Sequence, residues 1–114
     1  RLGWLWCNAG VWAGDRIVPE EWLASAITST DQVVWDDERS KLCYGSGFWT
    51  NDRGRLWPQL PTDGFAAYGA GEIAIVVFPS LELVIAQSPG IFAAGDHRSD
   101  GEGILRRIVE ACTD

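Results

Sequence analysis

The sequence predicts an α+β fold, an antiparallel sheet of at least three strands flanked by helices. Three observations point there. Ile73 to Phe78 is an unbroken apolar run rich in β-branched residues, as in a strand buried on both faces. Pro79-Ser80 then supplies turn chemistry, and Leu83 to Ala86 return as a partner strand. Apolar residues recur at helical spacing towards both ends of the chain, and helices laid over a sheet are the economical cover for its apolar faces.

The elements follow in order. Leu2, Leu5, Trp6 and Ala9 keep helical spacing, so residues 1–9 read as a helix stopped by Gly10. Val11-Trp12 and Ile17-Val18 flank Gly14-Asp15, which suits a small hairpin. Pro19 fits the first position of a second helix, where its missing N–H has no intrahelical partner to lose. Glu20 and Glu21 then fall in the first turn, favourably placed in the helix dipole. Trp22, Leu23, Ala26 and Ile27 are the expected buried face. Residues 29–41 are polar and read as loop. Residues 42–50, LCYGSGFWT, are a strand candidate whose glycines suggest close approach by a neighbouring backbone. Asn51 to Gly54 is a turn, and residues 56–64 are extended loop because Pro58 and Pro61 exclude regular pairing. Residues 88–99 read as irregular. Asp100 caps a last helix with an apolar face of Ile104, Leu105, Ile108, Ala111 and Cys112.

Length and composition bound the function. At 114 residues, 46% apolar and 22% charged, the chain reads as one globular domain over residues 1–114. A net charge of −7 argues against nucleic acid as a partner, since phosphate contacts need clustered Lys and Arg. No apolar run approaches the roughly 20 residues of a membrane-spanning helix. No leader peptide is visible, and nothing specifies a compartment. Cys7, Cys43 and Cys112 lie far apart in apolar contexts without Cys-x-x-Cys spacing, so buried thiols are expected. The chain holds no Met and opens at Arg1 inside a helical pattern, so it is expected to be a piece of a longer protein.

Catalytic equipment is sparse. The one histidine, His97, sits in the polar loop GDHRSDGEG, and no Gly-x-Ser-x-Gly elbow occurs. The one lysine, Lys41, has Glu38 three residues before it, so there is no Ser-x-x-Lys. Asp36, Asp37 and Glu38 read as solvated loop charge, and no metal or cofactor site is expected. Of the seven tryptophans, Trp6 and Trp22 are expected in the core. Trp12, Trp35, Trp49 and Trp57 lie in loops or at strand ends, where they pack or line a cleft.

Three stretches carry a resemblance. Leu2 to Ser29, LGWLWCNAGVWAGDRIVPEEWLASAITS, resembles a pattern of the β-lactamase-related serine hydrolases: Leu-Gly-x-Leu, then Gly-x-Trp-x-Gly-x-Arg-Ile-x-Pro-x-x-Trp. Tyr44 to Trp49, YGSGFW, looks like their Tyr-Gly-Tyr-Gly-Phe/Trp strand. Residues 65–87, FAAYGAGEIAIVVFPSLELVIAQ, are similar to their segment Phe-x-Ala-x-Gly-His-Gly-Gly-Gln, an apolar strand and Pro-x-Leu-Asp-Leu-Val-Val. Nearly the whole chain is covered, in the family's order. The family includes class C β-lactamases, D-alanyl peptidases and esterases, and its catalytic domain is much longer.

The resemblance implies that this chain is the C-terminal part of a β-lactamase/transpeptidase-like fold. The parent would cleave a small ester or amide through a serine acyl-enzyme without a cofactor. The Ser-x-x-Lys and Tyr-x-Asn elements would lie upstream. Residues 69–73 would form the substrate-facing strand edge. Ala70, Gly71 and Glu72 would take the places of His/Lys, a variable residue and Gly, with Ile73 offering an oxyanion N–H. A register one residue earlier gives Gly69, Ala70 and Gly71. Tyr68 and Trp57 would line the cleft. Ala70 lacks the charge of His or Lys, and Glu72 adds bulk and a negative charge, so recognition of a substrate carboxylate is the least supported activity. Two rivals stand beside this: a glycan-binding module built on exposed aromatic rings, and a fragment of a pseudoenzyme that has lost catalysis.

Overall fold

A computed structural model describes residues 1–31, 42–71, 73–88 and 98–113, with only the backbone described at 98–102. The elements are α1 (Leu2–Cys7), β1 (Val11–Trp12), β2 (Asp15–Arg16), α2 (Glu20–Ala26), β3 (Trp49–Thr50), β4 (Phe65–Gly69), β5 (Ile73–Phe78), β6 (Leu83–Gln87) and α3 (Arg98–Cys112). The fold is α+β. Strands β3 to β6 form a four-stranded antiparallel sheet in chain order, and β1 and β2 form a separate arm.

The sheet is the middle layer. Strand alternation sends Phe65, Ala67, Ile75, Val77 and Val84 to one face, where Leu23 and Ala26 of α2, Trp6 and Cys7 of α1 and Phe48 cover them. Ala66, Ala74, Val76, Phe78, Leu83 and Ile85 take the other face, against Trp57, Leu60 and, from α3, Leu105 and Val109. β5 runs over Ile73–Phe78 as the apolar run predicts, and it is the best buried strand. A 3-10 turn, Pro79–Leu81, joins it to β6. Strand β4 escaped the sequence reading because Phe-Ala-Ala-Tyr-Gly has no β-branched residue. Small side chains suit it here. Ala66 is fully buried between the layers.

Local details correct several expectations. α1 meets the sheet through Gly3, where an added Cβ would lie 2.4 Å from Val84 Cγ1, and Leu2 points to solvent. The helix ends at Cys7, short of the expected residue 9, and Ala9 and Gly10 follow it at positive φ (51° and 87°). The hairpin turn is Ala13-Gly14, one residue earlier than the turn chemistry suggests. Both turn residues again have positive φ, as a two-residue hairpin needs. Arg16 fastens this arm by donating to the carbonyls of Ala9 (2.9 Å) and Val18 (3.1 Å). Trp22, expected in the core, is 57% exposed. Residues 42–50 fold back on themselves, Tyr44 bridging to Trp49, and only the last two belong to β3. Close approach does occur there: a Cβ on Gly45 would sit 2.1 Å from the Ala26 carbonyl oxygen. α3 starts at Arg98, so Asp100 lies in its first turn. Its buried residues are Leu105 and Val109, while Ile104, Ala111 and Cys112 are exposed. Cys43 is a buried thiol, Cys7 a half-buried one and Cys112 an exposed one. Among the described residues, no helix is long and apolar enough to cross a membrane.

Candidate active-site corner

The residues that the resemblance singles out lie at the corner between β4 and β5. Gly69 closes β4 and Ile73 opens β5, as a directly opposed pair. Ala70 and Gly71 form the exposed turn between them, and Glu72 lies outside the described residues. His97, Lys41, Trp35 and the acidic run 36–38 also lie outside them. Gly71 has φ +84°, and a Cβ there would meet nothing within 4 Å. At Gly69 the nearest atoms to such a Cβ are 3.9 Å away. Gly69, Ala70 and Gly71 are therefore small, open and at the surface. Tyr68 and Ile73 flank it, each 45% exposed. Alternation along the strands puts Tyr68 on the α3 face and Ile73 on the α1 face.

Strand pairing refines the role of each backbone group. β3 pairs only with Phe65 and Ala66, so the last three residues of β4 run on past its end. The Asn51 N–H donates to the Gly64 carbonyl at 2.8 Å, which fixes the alternation along β4. Even-numbered residues there address β3, and odd-numbered ones address β5. The Ile73 N–H is therefore directed into the ladder, towards Gly69. That corrects the expectation that it faces a substrate. Ala70 and Gly71, the amides of the turn itself, are the exposed alternatives. Trp57 is the second correction. It is 4% exposed and packs on Phe78 with ring centroids 5.7 Å apart, so it is a core residue and lines no cleft.

A polar cluster that sequence reasoning missed lies elsewhere, where the end of α2 meets β3. The Ser29 backbone N–H donates to Asp52 Oδ2 at 2.9 Å, and the Ser29 hydroxyl donates to Asp52 Oδ1. The Ser29 and Thr50 hydroxyls are 2.6 Å apart, and Thr50 Oγ1 donates to Asp52 Oδ1 at 3.1 Å. Partial burial opposes the Asp52 charge. The hydrogen bonds from Ser29 and Thr50 outweigh it, with help from Arg53, and hold the carboxyl below its ordinary value. A carboxylate so stabilised is a poor proton acceptor, so the trio fastens structure and does not activate Ser29. Beside it runs an open groove lined by Ser25, Thr28, Thr30, Asp31, Ser46 and Arg53. The run Thr50-Asn51-Asp52 directly after an apolar strand was the available signal, since such residues turn back on nearby backbone groups.

Among the described residues, no three His, Cys, Asp or Glu side chains converge as a metal site would require. Three tryptophans, Trp4, Trp12 and Trp22, are at least 40% exposed. No protein-family model matches the chain, and no curated protein matches it.

Proposed function

We propose that this chain is the C-terminal part of a β-lactamase-related serine hydrolase, and that its β4–β5 corner forms one wall of the active site. The nucleophilic serine and its lysine lie upstream. The reaction is cleavage of a small ester or amide through an acyl-enzyme. One observation carries the reading. Gly69, Ala70 and Gly71 are small and solvent-facing at the end of a helix-covered antiparallel sheet, where the resemblance puts the substrate wall. Backbone amides at such a wall would stabilise the developing oxyanion, and small residues let substrate approach. Ala70 offers neither charge nor a side-chain hydrogen bond, which favours a neutral ester or amide over a substrate bearing a carboxylate.

The test compares residues 1–114 with the same protein extended upstream. The extended protein is expected to hydrolyse a p-nitrophenyl ester and to be labelled by a fluorophosphonate at a Ser-x-x-Lys serine. Residues 1–114 alone are expected to do neither. Turnover by 1–114 that a serine-directed inhibitor abolishes would overturn the reading, as would an upstream sequence without Ser-x-x-Lys.

The exposed tryptophans support a second reading, a glycan-binding module. It requires the tryptophan fluorescence of residues 1–114 to change on adding an oligosaccharide.

A further inference from the structure

We propose that Asp52 is an acid-released latch: charged, it ties residues 28–31 to the end of β3, and protonated, it lets that segment lift while the sheet stays folded. The inference stands apart from the hydrolase reading. It rests on one carboxylate holding three donors, two from Ser29 and one from Thr50. Thr50 and Ser29 are 1% and 8% exposed, so when the latch opens their polar atoms must find water or lose their partners. The segment's other ties include the backbone bond from the Thr30 N–H to the Tyr44 carbonyl at 2.9 Å, the bond from the Thr28 hydroxyl to the Ala24 carbonyl at 2.7 Å, and the ion pair of Asp31 with Arg53.

Among the described residues, few charged groups face Asp52. Arg53 comes from the same turn and Asp31 from the tied segment, and the two pair with each other at 3.0 Å. Both are exposed, so that pair is screened and weak. The groove residues from α2 and from the 42–50 fold-back are Ala24, Ser25 and Ser46, none of which ionises in acid. Residues 28–31 belong to neither apolar cluster, whereas Leu23 and Ala26 of α2 do. The core therefore does not depend on the latch.

The sign follows from linkage. The folded carboxyl titrates below its ordinary value of 3.8, so its contribution is complete above that value. It is lost as the pH falls through the folded value. A protonated carboxyl accepts fewer bonds and must place a proton of its own among donors.

Amide hydrogen exchange of residues 1–114, read by NMR as protection factors at pH 6 and at a lower pH below the observed titration midpoint of the Asp52 carboxyl carbon, tests this. The Ser29 and Thr30 amides are expected to lose about tenfold or more in protection at the lower pH, the factor that about one net hydrogen bond represents. The Val76 and Val77 amides are expected to keep theirs. In Asp52→Asn, Ser29 protection should be low at both pH values. The proposal is overturned if wild-type Ser29 keeps its protection at the lower pH, or loses it only together with Val76. It is also overturned if Asp52→Asn protects Ser29 as wild type does. Should that variant fail to fold, the Ser29 amide-proton shift in wild type must titrate with the Asp52 carboxyl carbon, and independent titration overturns the latch.

Discussion

Asn51 shows how much one side chain decides. It is fully buried. Its Nδ2 donates to the carbonyls of Trp57 and Pro61, both at 3.0 Å, and more weakly to that of Leu60 at 3.3 Å. Its Oδ1 accepts the Trp57 N–H at 2.8 Å. The loop of residues 51–64 is therefore wound round one amide, which also sets Trp57 against the core. The tetrapeptide Asn51 to Gly54 reads as a turn from sequence, and the Gly54 N–H does bond to the Asn51 carbonyl at 2.8 Å. That the side chain points inward is not legible, because its partners are backbone groups and any sequence supplies them. Asn51→Ala leaves those buried groups unpaired and should destabilise the fold by about 3 kcal/mol or more. Urea unfolding measures it, and a loss under about 1 kcal/mol would show that water or a rearranged loop replaces the amide.

At the scale of the element, existence was easier to read than orientation. The continuous run of β5 and the helical spacing of α3 were plain, because periodicity reports local geometry. Which apolar stripe of α3 is buried was not, because that depends on where the helix lands. Ile104 and Leu105 both belong to the expected face, yet Leu105 is 8% exposed and Ile104 39%. Val109, one turn after Leu105, completes the contact with Trp57 and Phe78 and was absent from the expected face. Leu105→Ala should therefore cost about 2–4 kcal/mol, and Ile104→Ala no more than about 1 kcal/mol. Thermal unfolding of the two variants decides it, and equal losses would mean that α3 is docked on another face. β4 was missed at this scale for a related reason. Alanine and glycine have little strand preference of their own, and here they are chosen for fit between two layers.

At the scale of the molecule, the sheet separates two apolar clusters, and among the tryptophans Trp22 lies at the surface against expectation while Trp6 packs on the core as expected. Trp22 stands out from α2, whereas Trp57, read as a loop residue near a cleft, is 4% exposed. Trp22→Ala should change stability by about 0.5 kcal/mol, and Trp57→Ala should remove about 3–5 kcal/mol. Chemical denaturation of both checks the assignment, and the reverse ranking would refute the burial of Trp57 in its cluster and the exposure of Trp22. Among the described residues, five of the eight large apolar side chains left at the surface, Leu2, Trp4, Trp12, Ile17 and Trp22, come from the first 22 residues, and the others are Tyr68, Ile73 and Ile104. The sequence by itself determined the α+β class, the β5–β6 hairpin, the helix at each end and the small-residue character of the corner after Tyr68. These follow from periodicity, turn chemistry and side-chain size, which neighbours along the chain settle among themselves. Only the tertiary structure decided which face each helix buries, that the Ile73 N–H turns into the ladder, and that Ser29 meets Asp52. Those depend on contacts between residues distant in sequence, whose free energy is realised only once the layers have closed on one another.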